Sequence, residues 1–267
     1  MPYYLINSSN DTFNRRVPDT DLIKIPIKND EEFYSIFRKV LHEFSNNGQL
    51  VWITLKDWQN YKKVNMIDLG LVPYVGFGPG YKIINLYLKN DLTPTNCQQY
   101  HEFLPMNENS IVDVIRTLEY SLQKLDKTYG KHKGIVYRQG YMDENPNMYI
   151  STSLNPIIAA NIFHLRRTFS PQGTFAVIRT INGHKINEFQ RKAGIDFSEK
   201  EEEILLSYNS KFKKLKENEI NTEIIEAKKK YAESLYNALQ CSPHSAEIKK
   251  EYTKERFFNL IDVYQEI

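Results

Sequence analysis

The chain has 267 residues, of which 41% are hydrophobic and 13% are aromatic. This is enough apolar material to bury a core in one large domain or two small ones, which argues against intrinsic disorder. The 35 basic residues nearly balance the 33 acidic ones, so the net charge of +2 gives no reason to expect nucleic acid or an anionic membrane as a partner.

Cysteine content and hydropathy limit the class of protein further. The two cysteines, Cys97 and Cys241, cannot form a disulfide framework, so the stability must come from packing. No apolar run approaches the roughly 18 residues of a membrane span, and the N-terminus lacks the charged-then-apolar layout of a secretory signal. We therefore expect a soluble protein without a membrane span, either cytoplasmic or exported by a dedicated secretion system that needs no cleaved signal.

The first hundred residues are predicted to form strands around one strong helix. Apolar residues recur at helical spacing from 30 to 47, and Gly48 is the expected stop signal for this helix. The glycine cluster at 76–80 contains Pro79 and precedes a strand pattern, so it predicts a turn rather than a phosphate-binding loop. The predicted strands are 3–6, 22–27, 50–55 and 81–89.

The remaining chain alternates between helical and strand patterns. A polar connection at 91–109 leads to an amphipathic helix over 110–127 and then to a short apolar strand that ends at Arg138. Asn155 and Pro156 predict the N-cap and the first residue of another helix. Residues 173–181 predict a strand followed by an Asn182-Gly183 hairpin turn, and residues 221–265 predict two helices.

Two glutamates stand where an acidic run becomes apolar, in the sequence Ser-Glu-Lys-Glu-Glu-Glu-Ile-Leu-Leu at 198–206. If a strand begins here, Glu201 and Glu203 project from the same face and Glu202 points away, because side chains alternate along a strand. In the alternative interpretation, Ser198 and Glu201 form the capping box of a solvated helix.

An arginine, a hydroxyl triplet and this glutamate pair follow one another along the chain as Arg138, 151–153 (Ser-Thr-Ser) and 201–206. Over about 108–216 this order resembles the signature of the Arg-Ser-Glu class of mono-ADP-ribosyltransferases, which includes many bacterial toxins and effectors. The resemblance implies an α+β fold: an ADP-ribosyltransferase-like split β-sandwich of two small, mostly antiparallel sheets with flanking helices. We accordingly expect an N-terminal α/β region of unknown role at 1–105, a catalytic core at 106–218 and a C-terminal helical extension at 219–267.

The resemblance also assigns roles to the central residues. Glu203 would hold the ribose 2′-hydroxyl of NAD and stabilise the oxocarbenium-like transition state. Glu201 would orient or deprotonate the acceptor, and Ser151 would fix Glu203 by a hydrogen bond. Arg138 would bind the phosphates of NAD through the planar guanidinium, which lysine cannot reproduce.

Further residues receive supporting roles from the same resemblance. Gln139 and Gly140 would hold the nicotinamide amide, while Thr152 and Ser153 would line the adjacent strand or the nicotinamide ribose pocket. The segment 188–200 corresponds to the substrate-recognition loop of the family.

Two residues of that region concern the acceptor. Phe197 would contact the target protein, or would anchor the loop as a buried side chain. Glu201, rather than a glutamine, favours arginine as the acceptor. The gap between Arg138 and Ser151 is short, so the assignment requires that a tight loop still bring both residues together.

The sequence therefore predicts an NAD-dependent protein mono-ADP-ribosyltransferase with NAD as co-substrate and a target protein, of a host cell, as partner. No metal is expected, since the six histidines have no metal-ligand spacing with each other or with cysteine. Two alternatives stay open: an NAD glycohydrolase that uses water as acceptor in the same cleft, and a non-catalytic interaction module.

Overall fold

The computed structural model describes residues 4–6, 13–15, 20–46, 64–75, 80–91, 108–140, 142–161, 175–193 and 202–267. The chain divides into two compact units, residues 1–129 and 130–267. Both units combine helices and strands, and the predicted α+β class is confirmed. The predicted strand at 50–55 and the turn at 76–79 lie outside the described residues.

The first unit contains a small antiparallel ribbon and a set of helices. Strands β1 (Tyr4–Ile6) and β2 (Phe13–Arg15) pair with each other. A 3-10 turn at Asp68–Leu71 precedes α3. The described helices are α1 (Thr20–Ile23), α2 (Asp30–Asn46), α3 (Val72–Val75), α4 (Gly80–Leu88) and α5 (Glu108–Tyr129).

Helices α2 and α5 form the centre of this unit, and both were predicted from their apolar stripes. The ring of Phe33 stacks on Phe37 at 5.2 Å and on Tyr120 at 5.4 Å between ring centroids. At the edge of the contact, Arg116 donates a hydrogen bond to the Ile25 carbonyl and forms an ion pair with Glu32. Aromatic stacking inside and a charged pair outside therefore join the two helices.

Two predicted strands of the first unit are wrong. Residues 22–27 form the end of α1 and an irregular segment, and residues 80–88 form helix α4. The buried positions of α4 are spaced by three and four residues, which is the period of a helix packed on one side. A run rich in β formers thus became a helix because its apolar residues also fit a single helical face.

The second unit is built on six strands. Its described part also contains five α-helices. The described strands are β3 (His132–Gln139), β4 (Ile150–Ser153), β5 (Phe175–Gly183), β6 (Glu203–Leu206), β7 (Phe212–Lys214) and β8 (Ile261–Glu266). The described helices are α6 (Pro156–Asn161), α7 (Ile186–Ala193), α8 (Thr222–Gln240), α9 (Ala246–Glu251) and α10 (Lys254–Leu260).

The six strands form one sheet in the order β6-β4-β3-β5-β8-β7. All neighbours are antiparallel except β5 and β8, which run parallel. Among the described residues, β3 and β4 pair only at Tyr137 and Ser153, whereas the other neighbours pair along their length. The two sheets expected from the sequence therefore correspond to two parts of one sheet, β6-β4 and β3-β5-β8-β7, that meet at a narrow junction.

Each face of this sheet carries its own core. Tyr137 packs on the face covered by α8, with its ring 5.3 Å from that of Tyr231. Its strand neighbour Val136 belongs to the cluster on the other face. Tyr137 is thus a core residue, as the alternation along β3 predicted, and Arg138 points to the opposite side.

Two predictions for the second unit are wrong. Residues 261–266 were expected within a C-terminal helix but form β8, which lies between β5 and β7. No hairpin turn occurs at Asn182-Gly183, because β5 continues through Gly183. None of the described helices is both long and apolar enough to span a membrane.

Candidate active site

Arg138 and Ser151 meet at the narrow junction between β3 and β4. The Arg138 Nη1 donates a hydrogen bond to the backbone carbonyl of Ser151 at 2.6 Å. The short loop between β3 and β4 therefore allows Arg138 and Ser151 to meet, as the predicted site requires. Arg138 is partly exposed at this position.

The residues after Arg138 shape the space around its guanidinium. Gly140 has a φ of +121°, a conformation that favours glycine, and a side-chain Cβ there would lie 3.6 Å from Arg138 Nη2. Gln139 ends β3, and its Oε1 is buried without a hydrogen-bond partner among the described residues. Gly140 therefore lies against the Arg138 guanidinium, and the contacts of Gln139 and Gly140 with nicotinamide stay predictions.

Ser151 also connects to Glu203 through its side chain. Ser151 pairs with Leu205 in the β4–β6 register, so Glu203 is its diagonal neighbour on the same face. The Ser151 hydroxyl hydrogen-bonds the Glu203 carboxylate. Arg138, Ser151 and Glu203 consequently form one connected chain of hydrogen bonds, with the serine in the middle.

Glu203 is the first residue of β6 and is only 9% exposed. The predicted strand is confirmed, and a solvated helix at 203–206 is excluded. Burial raises the pKa of the Glu203 carboxyl, while hydrogen bonds from Ser151 and Gln190 act in the opposite direction. A buried carboxylate held by two donors is suited to stabilise a positive charge that develops beside it.

Gln190 was missed by the sequence analysis. Its Nε2 donates a hydrogen bond to Glu203 Oε2 at 2.7 Å, and the side chain is 1% exposed. The signal was available, since Ile186, Phe189, Gln190 and Ala193 occupy the buried face of α7 at helical spacing. A glutamine on a mostly apolar helix face, which here also carries the buried Asn187, indicates that its amide has a partner inside the protein.

Helix α7 is fixed to β6 by the segment that precedes it. His184 and Leu205 exchange two backbone hydrogen bonds, of 2.8 and 2.9 Å, and the His184 ring contacts the Ser207 hydroxyl at 2.7 Å. The expected loop at 188–200 therefore starts as a helix through Ala193. Residues 194–200 lie outside the described residues.

Thr152 and Ser153 are buried and make internal hydrogen bonds. The Thr152 hydroxyl donates to the Ile204 carbonyl at 2.7 Å, across the β4–β6 pair. The Ser153 hydroxyl accepts from the Asn155 N–H at the start of α6. Asn155 caps this helix and Pro156 begins it, as predicted.

The backbone at Glu202 departs from the strand conformation of β6. Glu202 has a φ of +45°, in the left-handed region, and its carbonyl accepts a hydrogen bond from Leu154 N–H. The strand conformation therefore begins at Glu203, and the placement of Glu201 on the same face as Glu203 stays a prediction. Glu201 and Phe197 themselves lie outside the described residues.

In the described part of the chain, no group of three or more histidine, cysteine, aspartate or glutamate side chains is close enough to hold a metal ion.

Among proteins of solved structure, the chain is similar to ADP-ribosyltransferases. Vis toxin, an ADP-ribosyltransferase from Vibrio splendidus, is 22% identical, with 73% of this chain and 83% of the toxin covered and a TM-score of 0.38. The eukaryotic mono-ADP-ribosyltransferase ART2.2 is 19% identical, with 74% and 88% covered and a TM-score of 0.46. A complex of Vis with agmatine is 22% identical, with 76% and 86% covered and a TM-score of 0.36. No protein-family model and no curated protein matches the chain.

Proposed function

We propose that this chain is a mono-ADP-ribosyltransferase that moves ADP-ribose from NAD to a residue of a target protein. The observation that supports this function is the hydrogen-bonded chain from Arg138 through Ser151 to Glu203. It joins an anion-binding guanidinium to a cation-stabilising carboxylate, and the two are carried by different parts of the sheet. NAD requires both kinds of group, since its phosphates are anionic and its reacting ribose becomes cationic.

The proposed reaction breaks the bond between the ribose C1′ and the nicotinamide nitrogen. Nicotinamide leaves with the bonding electron pair, and positive charge develops on the ribose as in glycoside hydrolysis. The Glu203 carboxylate stabilises this charge and accepts a hydrogen bond from the 2′-hydroxyl. Arg138 holds the phosphates with parallel N–H donors, which fixes the ribose relative to Glu203.

The acceptor is proposed from the resemblance of the sequence to the Arg-Ser-Glu class. A lone pair on the acceptor, for which an arginine guanidinium nitrogen is our first choice, forms the new bond to C1′. Glu201 takes the proton that this nitrogen loses, and Phe197 contacts the target protein. By the same resemblance, we propose that the protein acts as a bacterial effector or toxin on a protein of a host cell, after export by a dedicated secretion system.

The supporting residues complete this proposal. Gln139 and Gly140 lie beside the guanidinium, where their backbone groups would hold the nicotinamide amide. Thr152 and Ser153 would support the nicotinamide ribose from behind, since both side chains are engaged inside the protein. No metal is required, because the leaving group departs without Lewis-acid activation.

Transfer of labelled ADP-ribose from NAD in a cell lysate tests the function. We expect the wild-type chain to label a protein and Glu203→Gln to lower both labelling and nicotinamide release by about a hundredfold or more, the range for preorganised charge-stabilising groups. Glu233→Gln is the matched control, since Glu233 is exposed on α8 in an ion pair with Lys254. Mass spectrometry then identifies the modified residue, and agmatine serves as a small guanidine acceptor.

The outcomes separate the three interpretations. Label on protein that requires Glu203 supports the transferase. Nicotinamide release that requires Glu203 but leaves protein and agmatine unlabelled assigns the same site to an NAD glycohydrolase. Nicotinamide release that Glu203→Gln leaves unchanged, or its absence from the wild type, favours a non-catalytic interaction module.

A further inference from the structure

We propose that Gln190 is a positioning residue for Glu203: its buried amide donates a hydrogen bond to the carboxylate and orients it toward the reacting ribose. The catalytic consequence rests on the function proposed above, whereas the effect on the Glu203 carboxyl does not. Gln190 is the second hydrogen-bond donor to the Glu203 carboxylate, and it lies on a different element from Ser151.

The position of Gln190 rules out a direct contact with substrate. Its side chain is 1% exposed, and its Nε2 is directed at Glu203 Oε2 at 2.7 Å. A residue so deeply buried acts on a ligand only through the group that it touches. That group is the carboxylate at the start of β6.

Two donors from different elements define the orientation of this carboxylate. Ser151 reaches it from β4, and Gln190 reaches it from α7. One hydrogen bond leaves a carboxylate free to rotate about its terminal torsion, whereas a second donor from another direction fixes it. The arrangement needs both elements to be held rigidly relative to β6.

The frame around α7 provides this rigidity. His184 pairs with Leu205 through two backbone hydrogen bonds, and the His184 carbonyl then accepts from Ile186 N–H as α7 begins. The first turn of the helix is thereby tied to a residue two positions from Glu203. Gln190 follows one turn later on the buried face of the helix.

The glutamine is also a costly choice for this position. Its Oε1 is buried without a partner among the described residues, and an unpaired buried acceptor destabilises the folded state. An apolar side chain of similar size would avoid that cost. A local conflict with stability at a candidate active site points to a functional reason for the residue.

The electrostatics of Glu203 agree with this role. Burial raises the pKa of Glu203, and the hydrogen bonds from Ser151 and Gln190 counteract it. Within the described part of the chain, neighbouring charged or titratable groups are not among the causes of this shift. The charged or titratable residues on the elements around Glu203 include Arg138 of β3, His184 and Lys185 after β5, Glu188, Arg191 and Lys192 of α7, and Glu202.

Gln190→Met tests the role, because methionine keeps the approximate volume and removes the donor. We expect kcat for nicotinamide release to fall about tenfold, as for loss of one hydrogen bond to a charged group. The fall of kcat at acidic pH should move to higher pH, since Glu203 then protonates more easily, while the KM for NAD changes little. Gln240→Met is the matched control, as the amide of Gln240 at the end of α8 donates to the backbone carbonyl of Lys249 in α9.

A second variant and a direct titration keep the test decisive. Gln190→Glu preserves the shape even if Gln190→Met does not fold, and it should also move the acidic fall of kcat to higher pH, because two adjacent carboxylates resist joint ionisation. Carbon-13 NMR of the Glu203 carboxyl measures its pKa without any activity. A pKa that rises in Gln190→Met and not in Gln240→Met supports the inference.

The results that overturn the inference differ from those that overturn the function. An unchanged kcat, pH profile and Glu203 pKa in Gln190→Met would show that the contact is incidental. A wild-type chain that does not cleave NAD refutes the proposed function, and the NMR titration then still decides whether Gln190 controls the carboxyl.

Discussion

Glu203 and Glu266 are two buried carboxylates of the same sheet whose pKa values shift in opposite directions. Glu203 is 9% exposed, and burial, the largest influence, raises its pKa above that of an ordinary glutamate. Glu266 is 4% exposed, and burial also raises its pKa, but four hydrogen bonds together lower it overall. Glu266 has four hydrogen-bond donors and Glu203 has two, so the hydrogen bonding of the two carboxylates differs clearly.

Glu203→Gln should stabilise the protein at neutral pH while it removes activity. Because the folded-state pKa is raised, the stability linked to this group is present below the unfolded value of 4.5 and is lost as the pH rises through the folded value. A neutral glutamine avoids that loss. We expect a gain of about 1–2 kcal/mol in the free energy of unfolding at pH 8, as for other active-site substitutions that relieve strain.

Urea unfolding of both chains between pH 4 and pH 8 measures this difference. The gain should shrink as the pH falls toward 4, where the wild-type carboxyl becomes protonated in both states. Glu233→Gln should show no such trend, since that side chain is exposed. A Glu203→Gln protein that is less stable than the wild type at pH 8 contradicts the interpretation of Glu203 as a destabilising buried charge.

Glu266→Gln should have the opposite effect. Glu266 Oε2 accepts hydrogen bonds from the Thr180 hydroxyl and from the N–H groups of Ile181 and Asn182, and Oε1 accepts from the Ser210 hydroxyl. Its folded pKa is lowered, so the stability it contributes is present above the unfolded value and is lost as the pH falls through the folded value.

The expected cost of Glu266→Gln is about 1–3 kcal/mol at pH 7, because the amide cannot accept at both positions. The cost should diminish toward pH 3. Glu255→Gln, on the exposed side of α10, is the matched control. Equal unfolding midpoints for wild type and Glu266→Gln at pH 7 would show that these hydrogen bonds contribute nothing to stability.

The candidate site was largely predictable because its residues come from short segments with strong local patterns. An arginine that ends an apolar strand, a hydroxyl triplet and an acidic residue before Ile-Leu-Leu are each visible in the sequence, and their order along the chain suggested convergence. Gln190 was not predicted, since its role depends on how α7 packs against β6. That packing is set by the His184–Leu205 pair, which a local pattern does not reveal.

The fold was predictable where the apolar residues followed one spacing, and not where they fitted both a helix and a strand. Helices α2 and α5 have long apolar stripes, and both were predicted. At the C-terminus, Phe257, Ile261 and Tyr264 continue a helical spacing across the junction of α10 and β8, although Ile261, Val263 and Tyr264 also suit a strand. The strand forms because β5 and β7 offer pairing partners on both sides, which is tertiary information.

Arg138→Lys should weaken NAD binding more than a conservative exchange usually does. Lysine keeps the charge but loses the planar fork that can hold a carbonyl and phosphate oxygens together. We expect the KM for NAD to rise about tenfold or more, the effect of losing a hydrogen bond to a charged group. Arg179→Lys, in an exposed ion pair with Glu223, is the control, and equal KM values for the two variants would contradict the role of Arg138.

The left-handed backbone at Glu202 should reduce the stability of the folded protein. A φ of +45° is unfavourable for a residue with a Cβ, so Glu202→Gly relieves backbone strain. Glycine also loses more conformational entropy on folding, and we expect a net rise of about 0.5–1 kcal/mol in the free energy of unfolding. Glu202→Val should lower it by about 1–2 kcal/mol, since a branched side chain tolerates this region poorly. Glu202→Gln, which keeps the backbone preference and removes only the charge, should change it by less than about 0.5 kcal/mol.

Urea unfolding of these three variants separates backbone strain from charge. If the conformation at Glu202 sets the direction in which the chain enters β6, then Glu202→Gly should also reduce transfer to protein more than nicotinamide release, because Glu203 stays anchored by Ser151 and Gln190 while the preceding residues lose their constraint. Equal reductions of both activities would mean that Glu202 acts only through Glu203. A Glu202→Gly protein less stable than Glu202→Gln would show that the left-handed conformation is not strained.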